Sequence, residues 1–118
     1  MTETPRWTLP LLLAGQAQKE ISHNEALEAI DRVLHLAVLT RTLNRPPSNA
    51  RTGDTVIIGA APVGDWRDCA NMIASSNGTS WILTTPRSGC LAWICDEAVL
   101  AVFHGERWRP LATLGPTA

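Results

Sequence analysis

The stretch "NRPPSNARTGD", residues 44 to 54, divides the chain into two halves of different character. It holds two Pro, two Asn, a Ser, a Gly and an Asp, residues that favour turns over helices or strands. Ahead of it the apolar residues recur at helical spacing, and after it they alternate as strands do. Helix first and strands second predict an α+β fold. The expected form is an N-terminal arm and an amphipathic helix packed on a small antiparallel β-meander of five or six strands. The expected boundaries are an extended arm over 1–15, a helical segment over 16–43, a linker over 44–53, a β-domain over 54–111 and a frayed tail over 112–118.

Upstream of the divider, Pro5 and Pro10 discourage helix in the arm, while Trp7, Leu9, Leu11, Leu12 and Leu13 make it apolar. An arm of that character docks on its own domain or on a neighbouring subunit. Ser22 and Glu25 form the S-x-x-E pattern of a capping box, which sets the helix start. Leu27, Ile30, Leu34 and Ala37 or Val38 then recur every three or four residues, so the helix is expected over 23–39. Glu28 and Arg32 are spaced for an i,i+4 ion pair.

Downstream, "DTVIIG" (54–59) places Val56 and Ile58 on one face. "NMIASS" (71–76) leads into Asn77-Gly78, the strongest hairpin dipeptide, and "SWILTT" (80–85) returns. "CLAWICDE" (90–97) is apolar on both faces and reads as a central strand, with Trp93 expected in the core. "AVLAVFHG" (98–105) alternates, His104-Gly105-Glu106 turns the chain, and "RWRPL" (107–111) closes the series. The aromatic content is five Trp, one Phe and no Tyr. Trp66, Trp81 and Trp108 each follow a Gly-containing turn, as if each hairpin were pinned by an indole.

Composition excludes several classes. With 118 residues, 45% apolar and 18% charged, the chain is one small globular domain rather than a disordered segment. Net charge is −1, the only Lys is Lys19, and the Arg are scattered, so no basic stripe exists to neutralise phosphates and no direct nucleic-acid binding is expected. The apolar run 9–14 is far shorter than the roughly 20 residues of a membrane span, so no membrane insertion is expected. It has no basic segment ahead of it, which argues against a signal peptide. Cys69, Cys90 and Cys95 are odd in number and lack metal-ligand spacing, so they are expected as buried free thiols with no cofactor.

Lys19, Glu20, His23, Asn24 and Glu25 crowd together in the manner of an acid–base site. Yet the capping box accounts for Ser22 and Glu25. No second His follows His23 at i+4, because position 27 is Leu, and no nucleophile motif accompanies the cluster. No catalytic residue, no metal ligand and no enzymatic activity are therefore expected. "CDE" (95–97) offers two carboxylates but no calcium-loop spacing, and reads as a solvated turn. Trp66 beside Asp65 and Arg67 gives a possible glycan contact, since an indole face stacks on a sugar ring while charged neighbours bind hydroxyls.

The segments "LPLLLAGQAQKEISHNEALEAID" (9–31), "LNRPPSNARTGDTVIIGAAPVGDW" (43–66) and "NGTSWILTTPRSGCLAWICDEAVLAVFHGERWRPL" (77–111) together resemble a phage-derived domain of unknown function, found in alphaproteobacterial prophages and gene transfer agents. The resemblance implies a structural component of a phage-like particle, associated with head spikes or fibres that contact the recipient cell surface. Because the chain ends at Ala118, soon after the shared region, a base or adaptor subunit attaching a spike or fibre to the capsid is expected. Implied partners are further copies of the chain (a pentamer favoured, a trimer the alternative), capsid protein, and spike or fibre protein. The expected location is the particle surface, after assembly in the bacterial cytoplasm. In this reading Trp7, Leu9, Leu11, Leu12, Gln16, Gln18, Lys19, His23 and Asn24 form the assembly interface. The alternative is a carbohydrate-binding module recognising capsular or cell-surface polysaccharide. Cys90 departs from the resemblance, which leads one to expect an aromatic there.

Overall fold

The computed structural model describes residues 2–13 and 19–113, with side chains described over 2–13 and 21–111. It has one helix, α1 (Lys19–Val33), and seven strands: β1 (Ala37–Val38), β2 (Thr55–Ile57), β3 (Ile73–Ser76), β4 (Trp81–Thr84), β5 (Leu91–Ile94), β6 (Val99–His104) and β7 (Arg107–Thr113). The architecture is α+β, as the split in periodicity predicts. Two compact units divide it, residues 1–34 and residues 35–118.

In the first unit, Glu3 and Pro10 form an antiparallel bridge that folds the arm back on itself rather than leaving it extended. The helix begins earlier and ends sooner than its 23–39 expectation. Ser22 lies inside it, so the S-x-x-E pattern is not a capping box. Helix ends at Val33 because His35 adopts a left-handed φ of 44°, which breaks the 3.6-residue repeat. Glu28 and Arg32 form no ion pair; the buried Arg32 Nε has no hydrogen-bond partner.

The second unit has the expected meander-like arrangement, with its strands shared between two antiparallel-rich sheets, β2-β3-β4 and β1-β5-β6-β7. Its antiparallel pairs come from hairpins that the turns dictate. Gly105 and Glu106 both have positive φ (61° and 64°) between paired His104 and Arg107, the geometry of a two-residue type I′ turn. Asn77-Gly78 opens a four-residue loop, where Asn77 Oδ1 accepts the backbone N–H of Thr79 and Ser80. The tail expectation is corrected at its start, because β7 runs on through Ala112 and Thr113 with a register shift opposite Leu100/Ala101.

Residues 36–43 form a seam between the sheets. On one side β1 pairs parallel with β5, reinforced by Trp93 N–H to Leu36 C=O and Cys95 N–H to Val38 C=O. On the other side Leu39 N–H donates to Thr55 C=O, Ile57 N–H to Thr40 C=O, and Gly59 N–H to Leu43 C=O. The close approach at Gly59 leaves no room for a Cβ, which would meet Asn44 Oδ1 and the Leu43 carbonyl. A main core of Leu36, Val38, Ile57, Ile73, Ala92, Ile94, Ala101 and Trp108 draws on both sheets. Val56 and Ile58 share the opposite face of the small sheet, as their alternation predicts, and pack with Trp66 and Ala74.

Candidate functional site

The N-terminal unit is built around a carboxylate. Asp31 is 1% exposed and sits in the helix one side of which carries the arm. Its Oδ1 accepts the Thr4 hydroxyl at 2.6 Å and the Trp7 N–H at 2.7 Å, and its Oδ2 accepts the Arg6 N–H at 2.9 Å. One turn pair earlier, at i−7 and so on the same helix face, Asn24 clasps Leu12 through both of its amide groups, at 2.8 and 2.9 Å. The arm also caps the helix. The Arg6 guanidinium donates to the Asp31 and Leu34 carbonyls, and the Trp7 indole N–H donates to Leu34 at 2.8 Å, satisfying acceptors that a helix C-terminus leaves open. Burial lowers the Arg6 pKa, and the charge of Asp31 opposes that shift.

Much of what this clasp leaves outside is apolar. The only buried side chains among the described residues of this unit are Thr4 and Asp31. Leu13 is 69% exposed, Ile21 53% and Ile30 49%, with Trp7, Leu12, Val33 and Leu34 also exposed. Ala26, Ile30 and Val33 follow one another at spacings of four and three along the helix, as a continuous stripe, with His23 exposed at its start.

The structure thus brings together Trp7, Leu9, Leu12 and Asn24 of the residues named from sequence. Leu9 meets Thr4 through its backbone, and Leu11 N–H pairs with Thr2 C=O. Gln16, Gln18 and the side chain of Lys19 lie outside the described residues. Sequence reasoning missed Asp31, Thr4 and Arg6. Nothing in the spacing of Asp31 marks it as the acceptor for a distant segment.

In the β unit, Trp66 corrects an expectation. It lies on a one-turn 3-10 helix, Gly64–Trp66, that turns the indole inward to 2% exposure. Its ring meets Trp81 edge to face, centroids 5.5 Å apart and planes at 82°. So buried an indole has no open face on which a sugar ring could stack; Trp66 borders a cleft whose more exposed aromatic is Trp81, and Asp65 and Arg67 are exposed. Trp93 is another departure: it stands half-exposed on the outer face of the large sheet beside exposed Leu91, with Leu100 and Val102 opposite them on β6.

Three open clefts are lined by described residues of this unit. The largest of these three, about 510 Å³, has Asn44, Asn71, Arg107, Asp96 and a bidentate Arg41–Glu97 pair in its wall, with bonds of 2.7 and 2.8 Å. The hydrogen bond from Arg41 holds the Glu97 carboxyl below the usual range, and the same bond raises Arg41. So Glu97 in the "CDE" turn is neutralised rather than simply solvated. Clefts of about 350 and 400 Å³ both use half-buried Trp81 as a wall.

No group of His, Cys, Asp and Glu among the described residues could hold a metal ion. The cysteines are free, but none is fully buried as expected: Cys69 and Cys90 are half-buried and Cys95 is exposed. Burial pushes the Cys90 thiol up. No helix among the described residues is long and apolar enough to cross a membrane.

A family model described as "Protein of unknown function (DUF2793)" matches residues 23–109, most of the chain. No curated protein matches it.

Proposed function

We propose that this chain, which belongs to the DUF2793 family, is a structural component of a phage-like particle. In that role it is the base or adaptor subunit that attaches a head spike or fibre to the capsid and supports contact with the recipient cell. Its sequence resemblance to prophage and gene-transfer-agent domains supplies the setting. The observation that carries the reading is the N-terminal unit, whose only buried side chains among those described are the polar Thr4 and Asp31, while Leu13, Ile21, Ile30 and other large apolar side chains are exposed. A unit of 34 residues with no buried apolar side chain among those described cannot stabilise itself by its own core. Contiguous apolar surface of this kind is characteristic of an interface that is filled on assembly. Closed cyclic assembly, a pentamer or a trimer, places the same surface of each copy in an equivalent contact.

The test is twofold. Light scattering coupled to size exclusion should return a multiple of 12.8 kDa, and antibody labelling should find the chain on purified particles. A clean monomer that is absent from particles defeats the proposal.

A second reading, a carbohydrate-binding module for capsular or cell-surface polysaccharide, is favoured by one observation: half-buried Trp81 stands between two clefts. Glycan-array binding by the purified chain tests it, and silence across the array ends it.

A further inference from the structure

We propose that the cleft bounded by Trp81, Asp65, Thr79 and Ser80 is a binding site for a neutral, hydroxyl-rich sugar ring. The inference rests on the second reading above and moves its site from Trp66 to Trp81. Four features meet there. Trp81 opens the edge strand β4, directly after the 77–80 loop, and is half-buried rather than covered. Trp66, held in the core, braces it edge to face, so the indole is fixed before any ligand arrives.

Two hydroxyls stand beside it. Thr79 Oγ1 and Ser80 Oγ lie 3.1 and 3.3 Å from Asn77 Oδ1. That oxygen already accepts the Thr79 and Ser80 backbone N–H groups, so both hydroxyls are able to accept from a ligand as well as donate to it. The Asp65 carboxylate, exposed on the facing 3-10 turn, makes no hydrogen bond or ion pair among the described residues. Pro46 also lines the cleft, with a ring that donates nothing.

The cleft therefore offers the Trp81 surface, with Leu83 and Trp66 beside it, one carboxylate acceptor and two hydroxyls. The complementary ligand has apolar C–H groups on one side and several O–H donors around its rim, which is a pyranose. A carboxylated or sulfated sugar would meet Asp65 and be rejected, so the class is neutral. About 350 Å³ falls within the range of small-molecule sites, and its openness to solvent suits one residue within a longer polymer.

The full chain is titrated with soluble neutral oligosaccharides (maltohexaose, cellohexaose, mannohexaose) and with alginate hexamer as the acidic control, following the Trp indole N–H signals by NMR and the affinity by calorimetry. The expected result is binding of a neutral oligosaccharide, with the Trp81 signal shifting first and alginate inert. Asp65→Asn and Ser80→Ala, both exposed and without a part in the core, should each weaken binding about three- to tenfold. Trp81→Ala should weaken it about tenfold or more; its NMR spectrum checks that the fold survives. If a neutral sugar binds and Asp65→Asn, Ser80→Ala and the Trp81 signal are all unaffected, the carbohydrate reading stands and this site is wrong. If alginate binds at Trp81, the assignment of a neutral ligand is overturned. If neither the oligosaccharides nor a glycan array gives binding, the reading and the site fall together.

Discussion

The two units bury opposite kinds of side chain. Residues 35–118 enclose Ile57, Ile73, Ile94 and Trp108 and leave charged groups such as Arg41 and Glu97 at the rim. Residues 1–34 enclose Asp31 and Thr4 and leave Leu13, Ile21 and Ile30 in solvent. The first arrangement is stabilised by removing apolar area from water. The second is held by hydrogen bonds to one buried carboxylate, which fix a shape more than they supply net stability. The difference teaches where self-sufficiency lies: the β unit carries its own core, and the helical unit presents a surface.

The contrast can be broken by exchange of single side chains. Ile94→Ala, in the main core, should cost about 2–5 kcal/mol in denaturant unfolding of the β unit. Asp31→Ala should cost about 2–3 kcal/mol, because three donors lose a charged acceptor. Its signature should be fast proteolysis and hydrogen exchange confined to residues 2–34, with β-sheet amides still protected. Equal loss of protection in both units would show that they are not distinct in stability. Ile30→Ser should change folding by less than about 0.5 kcal/mol, as an exposed position does, yet lower the oligomer mass seen by light scattering; an unchanged mass would remove the stripe from the interface.

The smallest effect belongs to the rim of the β unit. Glu97→Gln should cost less than about 1 kcal/mol at neutral pH, since the pair is partly solvated. Glu97 has a lowered pKa in the fold, so its contribution is present above the unfolded carboxyl value and lost as pH falls through the folded one. Thermal melts of wild type and variant should therefore differ at pH 7 and converge in acid. A gap that persists in acid would assign the effect to packing.

Much of the β unit was legible because its turns carry their own chemistry. Gly105 follows His104 where two positive φ values are needed, and the alternation of Val56 and Ile58 places them on one face. The seam was not legible. Leu34, Ala37 and Val38 satisfy a helical repeat as well as a strand, and His35, which breaks the helix, is neither Gly nor Pro. Strand β1 was consequently read as helix, and its parallel pairing went unseen. At the sites, the polar neighbours of Trp66 suggest exposure that the 3-10 turn removes, and Asp31 carries no local sign of burial. A buried carboxylate needs donors from Thr4, Arg6 and Trp7, more than 20 residues away, which no local pattern reveals.

The seam also sets a timetable. Residues 36–43 leave the ribosome before either strand that completes them, Thr55–Ile57 and then Leu91–Ile94. Hairpins β3–β4, β5–β6 and β6–β7 can close from neighbouring residues alone, whereas the parallel ladder to β5 joins positions more than 50 residues apart. Such closure is slow compared with hairpin formation. The seam strand waits longest for its partners, and the newly made chain joins its two sheets only after most of its length has been synthesised.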